Sequence, residues 1–268
     1  MSGNVILAHE VRGSGEPVLL LNGGMMSWGA WAAVTVPLAE RFRVVLCDFR
    51  GQLRTGGEVP PRLLDHAEDV HRLLRHLGLR GVHVLGTSFG AEVGLLLAAL
   101  HPGRVRTLTA VAATDLFTEE MYAIGLPVLE ACRRVPAGGD RGEVLDAIAS
   151  YAYSPSWLEA NREGLAARRS AVGLLPESWF AAVEALVESL RGVDLTRQLG
   201  AIRCPVHVVA AEGDALMPVE RTRALAAKIP GSRHTLVPGA GHALVTEDPG
   251  LVVVLFLADR EGERGRAT

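Results

Sequence analysis

Ser88 lies in the run Gly86-Thr87-Ser88-Phe89-Gly90, a Gly-x-Ser-x-Gly spacing. Chance supplies that spacing often enough that its setting has to carry the argument. The apolar run 82–85 precedes it and the apolar stretch 91–100 follows, so Ser88 is expected on a strand-to-helix turn. Such a sharp turn needs small residues on its flanks, and it lifts the hydroxyl to a helix N-terminus, where developing negative charge is favoured. The chemistry implied is nucleophilic attack by a serine oxygen.

A serine hydroxyl is a poor nucleophile until a base takes its proton, and an imidazole suits that task near neutral pH. Nine histidines compete. His242 stands out because Gly239-Ala240-Gly241 places it in a loop after the last expected strand, within reach of the C-terminal edge of a sheet. His66, His71 and His76 are spaced by five, which spreads them around a helix as solvated or half-buried residues. His83 and His207 fall inside strand patterns and are read as structural. The base in turn needs a carboxylate to fix its tautomer. Asp214, just past the run 206–211, is preferred; Asp115, past the run 105–112, is a competing choice, and Glu212 a third.

The elements that must position these groups are legible as short apolar runs at 18–21, 44–47, 82–85, 105–112 and 206–211, with weaker ones at 5–10 and 234–237. The central runs are apolar at nearly every position, as parallel strands covered on both faces require. Between them Leu63, Ala67, Val70, Leu74 and Leu77 form a helical stripe that Gly78 ends. Further helices are expected near 219–229 and 251–258. From 116 to 199 strand patterns vanish and helical ones take over, with Trp179, Val183, Leu186 and Leu190 along one face. The expected fold class is α/β: a mostly parallel, doubly wound sheet, residues 1–115 and 200–258, with a helical cap inserted at 116–199 and a frayed tail at 259–268.

The 268 residues are 49% hydrophobic and 21% charged, with a formal charge of −3 and no basic stripe. That balance argues against nucleic acid or an anionic membrane as a partner and favours a small molecule. It leaves both a monomer and a homo-oligomer open. Cys47, Cys132 and Cys204 are far apart, which indicates neither a disulfide framework nor a zinc site, and no metal or organic cofactor is expected. Without an apolar run long enough to span a bilayer or a leader pattern, a cytoplasmic location is expected.

The order Ser88, Asp214, His242, with strand-turn-helix around the serine and a helical insertion before the acid, resembles the serine-nucleophile members of the α/β-hydrolase fold family over nearly the whole chain. Asp48-Phe49-Arg50-Gly51 after an early strand, His101-Pro102 after the elbow helix and Pro205 before a late strand also match. The resemblance implies an oxyanion hole from the backbone N–H groups of Phe89 and Gly24, and structural roles for Asp48 and Arg50. Two departures stand out: Asn22 where many relatives have His, and Gln52-Leu53-Arg54 after Gly51, which places Leu53 and Arg54 in a loop expected to border the pocket. Met25, Trp28 and Met217 are the substrate-contact candidates. The implied activity is hydrolysis of a carboxylic ester, thioester or lactone of a small to medium apolar molecule through an acyl-enzyme. The alternatives are a tailoring enzyme of secondary metabolism with the same triad (cyclase, acyltransferase, lyase or C–C hydrolase) and a catalytically silent ligand-binding protein.

Overall fold

The computed structural model describes residues 5–264. In chain order they form β1 (His9–Arg12), β2 (Glu16–Leu21), α1 (Ala32–Ala39), β3 (Phe42–Cys47), α2 (Leu63–His76), β4 (Val82–Thr87), α3 (Phe89–Leu100) and β5 (Val105–Val111). The helices α4 (Glu119–Arg134), α5 (Glu143–Ala152), α6 (Pro155–Ala160), α7 (Arg162–Gly173), α8 (Glu177–Ser189) and α9 (Thr196–Leu199) follow. The chain closes with β6 (Val206–Ala211), α10 (Val219–Lys228), β7 (Arg233–Val237), α11 (Leu244–Glu247) and α12 (Pro249–Arg264).

The seven strands form one sheet in the order β1-β3-β2-β4-β5-β6-β7, parallel throughout except for β1, which pairs antiparallel with β3. This is the mostly parallel, doubly wound α/β sheet expected from the apolar runs. The first strand sits four residues later than the apolar run beginning at Val5, because polar His9 and Glu10 can be carried on an edge that pairs on one side only. Every residue of β4 and of β6 is buried, since helices cover both faces. One apolar layer packs α2 and α3 against the sheet, and another packs α1 and α12 on the opposite face.

Successive connections run from β2 to β3 on one side and then back to β4 on the other, so the strand order reverses between β2 and β4. Loops diverge at such a point and leave a crevice beyond the strand ends. The turn after β2, the elbow after β4 and the loops after β6 and β7 all open at that edge.

Helices α4 to α9 fill the stretch between β5 and β6, and its two ends meet: Leu116 bridges Asp194, and the Leu195 N–H donates to the Asp115 carbonyl at 2.7 Å. Trp179 and Val183 on α8 are buried together with Val128 and Val144, which gives this segment an apolar layer of its own, whereas Leu186 on the same helix joins the core of the sheet. The expected tail at 259–268 is corrected in part. Helix α12 continues to Arg264, and Asp259 accepts from Thr109, His207 and Arg233, so it is tied to the sheet; residues 265–268 lie outside the described residues.

Gly90 shows how tightly the elbow is built. A Cβ there would come within 2.3 Å of the Leu21 carbonyl oxygen and 2.5 Å of that of Asn22, both backbone atoms of the neighbouring strand end. Gly90→Ala should therefore cost about 3 kcal/mol of stability. A lower urea midpoint at unchanged m-value would register it.

Candidate active site

Ser88 stands between the last residue of β4 and the first of α3 with φ +51° and ψ −127°, and Ser88 and Ala112 are the described non-glycine residues with positive φ. The strained conformation is held from both sides: the Ser88 N–H donates to the Val111 carbonyl at 2.9 Å, and the Ser88 carbonyl accepts from Ala91 and Glu92. Gly86 must lack a Cβ because one would meet the Gly90 carbonyl oxygen at 2.7 Å. Phe89 anchors the head of α3 edge-on against Phe49 and His66, at ring separations of 5.3 and 5.0 Å. His66 is fully buried there, against the expectation of a solvated or half-buried residue, and burial pushes it down to about 4.

His242 Nδ1 lies 3.0 and 2.9 Å from the two carboxylate oxygens of Asp214. The Asp214 side chain is fully buried, and its Oδ1 also accepts the N–H groups of Leu216 and Met217 at 2.9 and 2.8 Å. Burial disfavours the imidazolium, but the charge of Asp214 and its hydrogen bond outweigh that and hold His242 above the ordinary imidazole range. Asp115 is elsewhere. Its Oδ2 takes Lys228 Nζ at 2.6 Å and the Thr196 hydroxyl at 2.9 Å, which ties the end of the helical segment to α10. Glu212 accepts from the Gly239 N–H.

Ser88 and His242 open into one cavity of about 470 Å³, bounded on the sheet side by the turn at Gly23–Gly24 and on the other by α4, α5, α7 and α8. Phe89, Gly24, Met25 and Met217 also line it. Trp28 does not, which corrects that expectation: its indole is covered by the Arg54 guanidinium, 4.5 Å from the ring centroid, and it packs on the α1 side of the sheet. Leu53 and Arg54 are likewise outside the lining, since Arg54 is drawn towards Ser27 and Asp48.

The two sequence departures prove to be partners. Asn22 Nδ2 is surrounded by the Cys47 carbonyl, Asp48 Oδ1 and Gln52 Oε1 at 2.9 to 3.0 Å, and its own Oδ1 accepts from the Trp31 indole. Gln52 Nε2 donates to the Gly23 carbonyl at 2.9 Å. This buried amide pair fixes the turn carrying Gly24, a role that neither residue type reveals in isolation. Among the described bonds, the N–H groups of Gly24 and Phe89 have no acceptor within the protein.

The chain matches the α/β hydrolase fold family over residues 16–249. It belongs to the α/β-hydrolase family. A relative from Azorhizobium caulinodans named "Putative carbamate hydrolase RutD" is 30% identical over 262 residues, covering 95% of each chain, and one of the same name from Caulobacter sp. is 31% identical over 256 residues, covering 91% of each. Among solved structures, a thermophilic esterase from Thermogutta terrifontis superimposes with a TM-score of 0.80 at 27% identity, over 98% of this chain and 94% of that one. An α/β-hydrolase from a deep-sea metagenome library reaches a TM-score of 0.87 at 21% identity, covering 94% and 93%, a likeness of fold. No single helix among the described residues of this family member is long and apolar enough to cross a membrane, and no described group of His, Cys, Asp and Glu side chains is placed to hold a metal ion.

Glu92, one turn into α3, went unassigned in the sequence although it is the lone charge on an apolar helix. It is fully buried beside His242 and Asp214; one oxygen accepts the Thr114 N–H and the other has no partner, and burial pushes its carboxyl up to about 8. Burial thus favours its neutral form. A folded-state value raised above the unfolded one means that the folded protein holds the proton more tightly, so the associated stability is full in acid and fades as pH rises towards 8. Glu92→Gln should accordingly gain stability relative to the parent between about pH 4.5 and 8, by at most roughly 1.4 kcal/mol per pH unit. Denaturation curves of both proteins across that range test it.

Proposed function

We propose that this protein is a serine hydrolase that cleaves carboxylic ester, thioester or lactone bonds of small to medium apolar molecules through an acyl-enzyme. The observation that carries the reading is the Asp214-bound His242 in the cavity that Ser88 enters from a strained elbow. Since Nδ1 of His242 is engaged by Asp214, Nε2 is the nitrogen left to take the Ser88 proton as Oγ attacks the carbonyl carbon. The resulting oxyanion is received by the N–H groups of Phe89 and Gly24, which have no protein acceptor to relinquish. Collapse breaks the bond to the leaving group, which departs with the proton from His242. Water then gives a proton to the same nitrogen and attacks the acyl-Ser88 carbon; collapse breaks the bond to Oγ, releases the acid, and returns the His242 proton to Ser88.

The relatives' name supports a second acyl class. A carbamate carbonyl presents the same electrophilic carbon, and the same steps would pass through a carbamoyl-Ser88. The apolar walls supplied by Met25, Phe117, Met121, Trp179 and Met217 favour an apolar body on either kind of substrate.

Incubation with a fluorophosphonate probe, followed by peptide mass analysis, should place the adduct on Ser88. A parallel panel of p-nitrophenyl esters, acyl thioesters, lactones and aryl carbamates should show turnover in at least one class. Absence of both the adduct and turnover would sink the hydrolase reading in favour of a ligand-binding protein.

A further inference from the structure

The cavity has one fixed charge among the described residues that line it, and that charge belongs to the helical segment. Arg168 on α7 is exposed and reaches the wall, whereas no Asp or Glu does. Its neighbours are aromatic: it lies near Tyr153 and 5.9 Å from the ring centroid of Trp157, which stacks on Tyr153 at 4.4 Å. Glu247 also influences Tyr153, but its carboxylate is taken up by the Ser154 N–H, the Ser154 hydroxyl and the Gly241 N–H.

Other arginines of the same segment meet carboxylates. Arg133 pairs with Glu184 and Glu188, Arg134 with Glu143, Arg191 with Glu119, and the adjacent Arg169 with Asp140 and Asp146. Arg168 has no ion pair among the described residues. Arg168 is exposed and so open to solvent, but a substrate filling the apolar space would displace water from it. The guanidinium then needs an anion, and a planar carboxylate matches its paired donors.

We propose that Arg168 selects acyl substrates that carry a second, free carboxylate. The proposal rests on the hydrolase reading for its chemistry, with Ser88 acting on the ester carbon while Arg168 holds the anionic group. The stacked rings of Tyr153 and Trp157 flank the guanidinium on the cavity wall.

Two p-nitrophenyl esters of equal chain length, the hexanoate and the monoester of adipate, differ only in a terminal carboxylate. The ratio of their kcat/KM values, adipate over hexanoate, should fall by about tenfold or more in Arg168→Gln, fall further in Arg168→Glu and be only partly kept in Arg168→Lys, which retains the charge without the paired donors. A ratio unchanged within twofold in both Arg168→Gln and Arg168→Glu overturns the proposal. Calorimetric binding of monomethyl adipate against methyl hexanoate makes the same comparison without turnover. Preferential, Arg168-dependent binding of the adipate without hydrolysis of any ester would support the carboxylate site and refute the hydrolase reading. Turnover of both esters with indifference to Arg168 would do the reverse.

Discussion

Ser88→Ala should lower kcat for whichever acyl substrate the protein uses by roughly 10⁴- to 10⁶-fold while leaving the fold intact. Deleting Oγ removes the atom that forms the covalent bond, so only binding and the oxyanion donors remain to accelerate direct attack by water. The fold should survive because the elbow is held by backbone groups: the Ser88 N–H on Val111, and the Ser88 carbonyl receiving Ala91 and Glu92. No side-chain cap bond from Ser88 is lost. Single-turnover assays with protein of unchanged urea midpoint make the measurement. Retention of parental turnover would remove Ser88 from the mechanism.

Asp214→Asn should cost about 10⁴-fold in kcat, a large effect for an exchange of one oxygen for an amide nitrogen. Oδ1 of Asp214 is committed to the Leu216 and Met217 N–H groups, so in the variant the amide oxygen is kept on that side and the new NH2 faces His242. Two donors cannot share a hydrogen bond, so the imidazole takes the tautomer with its proton on Nε2, where it cannot accept from Ser88. The pH dependence should change as well. In the parent the base is lost as pH falls through a His242 value lying above 6.5, so the acid limb of kcat/KM has its midpoint there. Without the Asp214 charge and bond, burial is the largest influence left on His242 and disfavours the imidazolium, so the limb should move to lower pH. Asp115→Asn serves as the comparison. Its partners are Lys228 and Thr196, so its kcat should stay within about tenfold of the parent, and a loss matching that of Asp214→Asn would reverse the assignment of the acid.

What could be read from the chain alone follows from local rules. Strands buried on both faces must be apolar throughout, a sharp strand-to-helix turn must have glycines at Gly86 and Gly90, and groups after successive parallel strands must emerge at one edge. Those rules place Ser88 at the elbow and make Asp214 and His242 expected neighbours. They also marked the helical stretch at 116–199 as separate from the sheet. They were silent wherever two distant segments compete for one position. Asp115 and Asp214 each follow a strand, and the choice rests on which loop meets His242 and on Lys228 occupying Asp115. Trp28 is three residues from Met25 in sequence, yet the turn sends Met25 into the cavity and Trp28 beneath Arg54.

The same limit explains the residues that sequence reading missed. Glu92 is visible as a lone charge on an apolar helix, but its proximity to His242 and Asp214 depends on how α3 lies under two later loops. Asn22 and Gln52 look like departures from a family pattern until the fold brings their amides together above Asp48. Arg168 and Arg169 are adjacent and chemically identical, and only the direction each takes from α7 separates a cavity wall from a surface ion pair. The sequence by itself therefore determined the sheet and the elbow that carries Ser88, because these depend on periodicity and on backbone sterics within a few residues. The tertiary structure alone decided which carboxylate meets His242, which residues wall the cavity and that Arg168 is among them, because those depend on contacts between segments far apart in the chain.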